Sequence, residues 1–147
     1  MKIGIASDHG GYKLKLKIIN FLNKQKYEVK DYGTDSEESV DYTDFAFNLC
    51  KNLINKNIDL GIAICKTGIG MSIACNKVKG IRCAKVDSIK DAYCSKNHNF
   101  ANVISLNGTM SFYLVKRIII KFLNSSNSKE ERHIRRVNKI TEYENER

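Results

Sequence analysis

The stretch DLGIAICKTGIGMSIACNKV, residues 59–78, decides the fold. Its opening, DLGIAIC, is a continuous apolar run, the pattern of a central parallel strand covered on both faces. Lys66-Thr67-Gly68-Ile69-Gly70 then turns the chain, and GMSIACNKV begins a short helix. Working outward, KIGIAS (2–7) reads as a buried strand and SDHGG as the turn after it. YKLKLKIINFLNKQ sets Leu14, Ile18, Phe21 and Leu22 on one helical face. YEVKDYG is a second strand, and from Asp44 the segment FAFNLCKNLINK repeats apolar residues at helical spacing. Beyond the central stretch, GIRCAKV is a fourth strand and SIKDAYCSKN a helix capped by Ser88. NVISLNG is a fifth strand, SFYLVKRIIIKFLN an apolar helix, and SKEERHIRRVNKITEYENE a charged last helix.

Five strands alternating with helices predict a three-layer, Rossmann-like α/β sandwich. A five-stranded parallel sheet carries helices on both faces and a C-terminal helix, joined by right-handed crossovers. Ligands of such sheets bind at the carboxyl ends of the strands. Three unusual turns are expected to converge there: SDHGG after the first strand, CKTGIG after the third, and the NHN segment just ahead of the fifth.

Composition narrows the class. At 147 residues with 42% hydrophobic content the chain fits one globular unit, not a disordered or fibrous one. No apolar segment approaches the roughly 18 residues of a membrane span, and the N-terminus enters turn chemistry too soon for a signal peptide. The expected compartment is the cytoplasm. The five cysteines are odd in number and lack CxxC or His-rich ligand spacing, so reduced, mostly buried thiols are expected. The net charge of +9 comes largely from lysines scattered along helices and from the tail KEERHIRRVNK. That pattern describes a solvated surface, although a small anion also gains from a positive field.

The CKTGIG turn carries the most chemistry. Gly68 and Gly70 allow a tight turn, and the helix beginning there directs free N–H groups outward, which suits an anion or a developing oxyanion. The P-loop pattern is missing. A thiol beside a helix N-terminus and a lysine can ionise readily and act as base or nucleophile. Cys65 is thus balanced between core packing and catalysis, while Cys50, Cys75, Cys83 and Cys94 read as packing. Thr67 serves the turn or donates its hydroxyl to the same oxyanion. Asp8 and His9 either cap the first helix or hold a polyol. His98, between two asparagines, is a surface histidine or a proton shuttle for sugar oxygens. Arg132 and Arg136, four residues apart, share a helix face that is solvent-exposed or grips a phosphate. Neighbouring His133 and Arg135 read as exposed in the same way.

Together SDHGG, DYGT followed by VDYTDFA, GIAICKTGIGMSIACNKVKGIR, the HN ahead of FANVISLNG, and ERHIRRV resemble, in order and spacing, the type B ribose-5-phosphate isomerases. The likeness spans nearly the whole chain and extends to a broader family that includes galactose-6-phosphate isomerase subunits. It implies one sugar-phosphate isomerase domain over 1–147 that interconverts ribose 5-phosphate and ribulose 5-phosphate without metal or organic cofactor. By the same resemblance Cys65 matches the proton-transfer base. Thr67 and the amides of Gly68 to Ser72 match the enediolate's anion hole, and Lys66, Ile69 and Gly70 of the same turn are expected to bind substrate. His98, assisted by Asp8, matches the ring-opening residue, His9 and Asn99 match substrate contacts, and Arg132 and Arg136 match phosphate ligands. The site of relatives is shared across a homodimer, which implies a dimer or tetramer whose last helix, about 129–145, packs on the partner. Neither nucleic acid nor membrane is an implied partner. Three positions depart from the pattern: Lys66 replaces a usual glycine, Thr109 a frequent phosphate-binding arginine, and Thr43 a usual proline.

Two alternatives stand beside this reading. One is isomerisation of a six-carbon substrate such as allose or galactose 6-phosphate, which needs only a roomier pocket. The other is a phosphate- or nucleic-acid-binding module using the positive charge. Against the latter, no RNP stacking pattern or helix-turn-helix spacing is present.

Overall fold

The structure is a computed structural model that describes residues 1–146. Five parallel strands, β1 (Lys2–Ser7), β2 (Glu28–Asp31), β3 (Leu60–Cys65), β4 (Cys83–Lys85) and β5 (Val103–Asn107), lie in the order β2-β1-β3-β5-β4. The helices are α1 (Tyr12–Lys24), α2 (Tyr42–Ile54), α3 (Ile69–Cys75), α4 (Ile89–Asn97), α5 (Phe112–Asn124) and α6 (Glu131–Asn145). A single 3-10 turn, His9–Gly11, stands between β1 and α1. The expected three-layer α/β architecture is present, with the outer strands shorter than their sequence runs and α2 starting two residues earlier than Asp44.

The apolar run of β3 is fully buried, and its two faces differ in size. Leu60, Ile62 and Ile64 join Ile3, Ile5, Ile104 and Leu106 in a core roofed by Ile18 and Leu22 of α1 and Val115, Ile119 and Phe122 of α5. Each such side chain contributes roughly 1.5–3 kcal/mol by leaving water. Ala63 and Cys65 face the other way, with Ala6, against Ala46, Leu49 and Cys50 of α2 and Met71 and Cys75 of α3. Small residues on this face let α2 and α3 lie close to the strands. Cys65 is therefore the last inward residue of the thin face, at the point where β3 ends.

The order places β1 and β3 side by side although their crossovers depart in opposite directions. β1 leads outward to β2, and β3 leads towards β5 and β4. The crevice between two such strand ends is where open α/β sheets hold ligands. Register pairs Ser7 with Ile64, so Asp8 and Cys65 leave the sheet at the same level.

Caps fix the helix starts. Ser88 Oγ accepts from the Asp91 amide at 3.0 Å, as the sequence implied, and Ser111 Oγ accepts from the Leu114 amide at 3.4 Å. No helix among the described residues is long and apolar enough to cross a membrane.

Candidate active site at the switch point

Two of the three turns meet at the carboxyl edge. The Asp8 amide donates to Ile64 O at 3.3 Å, joining the end of β1 to the end of β3. Asp8 is buried, and its Oδ1 accepts from the Gly11 amide at 3.2 Å, so it does cap the turn that opens α1. Gly108, following β5, donates to Cys65 O at 2.8 Å, which ties a third strand end to the same place.

Gly68 is the hinge of the CKTGIG turn. Its φ of +77° lies in the left-handed region that L side chains rarely adopt. In this conformation its N–H donates to Cys65 Sγ at 3.2 Å, and its carbonyl accepts from Ser105 Oγ at 2.5 Å. Ser105 is fully buried on β5, so the turn is anchored from below. Thr67 Oγ1 accepts from the Ile69 amide at 3.2 Å, leaving its own hydroxyl proton free to donate elsewhere. The amides of Gly70 and Met71 have no acceptor among the described residues, whereas Ser72 N–H already donates to Gly68 O at 3.1 Å. The turn that follows the thiol thus carries two N–H groups without an acceptor and one hydroxyl. Tyr42, at the start of α2, lays its ring against Gly70. No reading of the sequence singled out Tyr42 or Ser105. The VDYTDFA run contains Tyr42, but only the fold shows that its ring reaches the turn.

His9 stands at the rim, half-buried, and its Nδ1 accepts from the Val40 amide at 3.2 Å. Lys66 is exposed, with its backbone against Gly10. Thr109 folds back on β5, its amide and hydroxyl donating to Asn107 Oδ1 at 2.8 and 2.7 Å.

The third turn lies elsewhere, which corrects the expected convergence. His98 caps the C-terminus of α4 and precedes β5, so it sits at the amino edge of the sheet. Gly61 pairs with Val103 and Cys65 with Asn107, so the two edges are separated by about four strand residues, roughly 13 Å. Within one chain His98 and Cys65 cannot share a small substrate. At this second edge His98 stacks face to face on His133 of α6, with ring centroids 4.3 Å apart and planes within 2°. His133 is buried rather than exposed as its sequence context suggested, and its Nε2 has no hydrogen-bond partner; Glu130 Oε2 is 3.9 Å away. Burial holds its basicity below the ordinary histidine range, aided by His98, Arg132 and Arg136 and opposed by Glu130. Arg132 and Arg136 are exposed on α6, Arg132 pairing with Glu130 at 2.7 Å. Asn99 is exposed and lines a cavity of about 570 Å³ bordered by β4 and by Ile140 of α6. The candidate residues therefore fall into two groups at opposite edges of the sheet. Asp8, His9, Cys65, Thr67 and the glycine turn form one, and His98, Asn99, Arg132 and Arg136 lie on the other side.

The remaining thiols lie away from the CKTGIG turn or within the core. Cys50, Cys75 and Cys83 are buried together, and Cys94 is half-exposed. Hydrogen bonding to Cys75 and burial push the Cys50 thiol far up. Cys75 is raised on balance, the bond from Cys50 pulling down against Cys83 and burial. Among the described residues no three His, Cys, Asp or Glu side chains gather as metal ligands.

An open α/β sheet with a thiol and unpaired amides at its switch point has the architecture in which such sheets hold small ligands. Residues 3–140 match the family model described as Ribose/Galactose Isomerase. A putative sugar phosphate isomerase of Bacillus subtilis is 39% identical over 145 residues, covering 98% of this chain and 97% of that protein. Ribose-5-phosphate isomerase B of Escherichia coli is 34% identical over 146 residues, covering 99% and 98%. Among solved structures, ribose-5-phosphate isomerase B of Clostridium thermocellum superposes with a TM-score of 0.95 at 45% identity, covering 99% of each chain. That of Mycoplasma genitalium with bound ribulose-5-phosphate gives 0.92 at 40% identity, covering 99% of this chain and 97% of that one. The chain belongs to the ribose/galactose isomerase family.

Proposed function

We propose that this chain interconverts ribose 5-phosphate and ribulose 5-phosphate in the cytoplasm, acting as one isomerase domain over its full length, with Cys65 as the proton-transfer base. The observation that carries the reading is Cys65 Sγ beneath the Gly68 N–H, beside the unpaired Gly70 and Met71 amides. The names borne by the relatives support the substrate.

The chemistry follows from what such a site must balance. With the aldose ring open, the base takes the proton from C2 and the electron pair forms the C1–C2 double bond. Negative charge then grows on O1. The proton returns to C1, O2 becomes the carbonyl, and a second proton passes from O2 to O1. Free N–H groups and the Thr67 hydroxyl are donors fixed in advance for that charge, and one such donor is typically worth about 3 kcal/mol of barrier. Asp8 and His9 border the same crevice and hold the polyol, with Lys66 and Ile69 lining the turn. His98 opens the ring with help from Asp8, Asn99 contacts the sugar, and Arg132 and Arg136 bind the phosphate.

These last groups reach the thiol only from a second copy. A homodimer with two-fold symmetry would set each chain's amino-edge residues against its partner's carboxyl edge, forming two equal sites. Its surface is supported by exposed Ile69 and Ile73 on α3 and Ile134, Ile140 and Tyr143 on α6.

The test is conversion of ribose 5-phosphate by purified, EDTA-treated protein, beside Cys65→Ala. Turnover by the parent is expected, with none by the variant and sugar-phosphate binding retained. An active Cys65→Ala, or a parent that turns over only six-carbon phosphates, overturns the corresponding part.

A further inference from the structure

Lys15 is among the largest fully buried side chains of the described residues, only 1% exposed, in the first turn of α1. An ammonium so deep persists only when fully paired. Its three protons meet three oxygens: Asp31 Oδ1 at 2.9 Å, Asp31 Oδ2 at 2.7 Å and the Thr34 carbonyl at 2.6 Å. Two of these belong to the end of β2 and the third to the loop beyond it.

That loop runs to the site. Tyr32 N–H donates to Ile5 O at 2.8 Å and Thr34 N–H to Ser7 O at 2.9 Å, extending the pairing of β1 to the residue before Asp8. Gly33 is pressed so closely that a Cβ there would lie 2.6 Å from Ser7 N and 3.0 Å from Lys15 Cδ. From buried Thr34 the chain hangs on short links. Thr34 Oγ1 accepts from the Ser36 amide at 3.5 Å, and Ser36 Oγ from the Glu38 amide at 3.3 Å. At its far end Val40 N–H donates to His9 Nδ1 at 3.2 Å. A backbone N–H can only donate, so Nδ1 is the acceptor and a neutral His9 carries its proton on Nε2.

We propose that Lys15 is a positioning residue for His9: by fixing Thr34 it holds the 34–40 loop so that Val40 keeps His9 as the Nε2–H tautomer, a donor turned to an oxygen-rich anionic ligand. The functional half of this inference rests on the part given to His9 above. The tautomer half does not, and the two are read separately.

The experiment is nitrogen-15 NMR of the imidazoles, at about pH 8, where histidines are neutral, in the parent, Lys15→Met, Asp31→Asn and Lys13→Met, with His9→Gln to assign the signal. In the parent, His9 Nδ1 resonates as an acceptor and Nε2 as a protonated nitrogen. In Lys15→Met the two shifts move together as tautomers mix, and Val40 amide exchange rises by about tenfold or more. KM for ribose 5-phosphate rises several-fold while kcat changes less. Lys13, whose exposed ammonium pairs with Glu37 at 3.0 Å on the same loop, is the control and behaves as the parent. If Lys15→Met fails to fold cooperatively, the double variant Lys15→Met with Asp31→Asn takes its place, since it leaves neither charge without its partner. A folded variant with the parental tautomer and Val40 exchange overturns the proposal. A parent inactive on every sugar phosphate overturns the proposed function and leaves the NMR result standing.

Discussion

Gly68→Ala tests the link between backbone geometry and catalysis without touching the thiol. Alanine at φ +77° costs about 1–2 kcal/mol from left-handed backbone strain alone. Its Cβ would also lie 3.0 Å from the Leu106 carbonyl carbon and 3.1 Å from its oxygen, both backbone atoms of a central strand that cannot yield easily. A loss near 2 kcal/mol, about 4–8 °C in Tm for a chain of this size, is expected. The larger effect falls on the reaction. Relief of the strain rotates the Gly68 peptide, breaking the N–H contact to Cys65 Sγ and the Ser105 bond to Gly68 O, and swings the Gly70 and Met71 amides off their line. Losing one aligned oxyanion donor costs about 3 kcal/mol, so kcat should fall by roughly two orders of magnitude with KM changed little. Steady-state isomerase kinetics beside a thermal melt separate the two effects. A variant that loses the expected stability yet keeps kcat within about twofold of the parent would refute the assignment of the turn as the anion hole.

The proposed sharing of the site between two copies predicts complementation. On mixing and refolding, Cys65→Ala chains, inactive alone, and His98→Asn chains, slow alone on cyclic ribose 5-phosphate, should reach about a quarter of parental activity, because half of the dimers are mixed and each has one intact site. No recovery would confine catalysis to one chain. His98→Asn should slow turnover of cyclic ribose 5-phosphate more than that of an open-chain analogue, and equal slowing would remove the ring-opening role. For His133 the sign follows from burial, which disfavours its charged form. The unfolded chain therefore holds more protons below about 6.5, and this contribution to stability is present above that pH and fades as pH falls through the depressed folded value. Thermal melts of the parent against His133→Phe, which keeps a stacked ring but cannot take a proton, should diverge on acidification; parallel curves would discount the buried histidine.

The centre of the sheet was legible because its strands are buried on both faces, so LGIAIC and IGIA are apolar throughout. The outer strands were harder. β2 keeps only Val29 even half-buried, so nothing in YEVKDYG marks where pairing stops. CKTGIG was legible as a tight turn because its glycines directly follow a buried strand, and Gly68 takes the left-handed conformation that glycine favours. The NHN segment was misplaced because proximity to a strand was read without its direction: a segment entering a parallel strand lies at the end opposite to one leaving it. The burial of Lys15 and of His133 was not legible, because burial of a cation or an imidazole depends on partners distant in sequence. Asp31 is sixteen residues from Lys15, and His98 is supplied by another helix.

The ends of the sheet carry a further consequence. Its two border strands are only four and three residues long, and they bear Glu28 and Lys30 on one side and Lys85, paired to Asp87, on the other. A long, flat, uncharged border would template the addition of foreign strands and open a route to fibrils. Short, charged borders withhold that template, so this parallel sheet, whose long-range pairings form slowly, is shielded from runaway growth while its middle strands assemble.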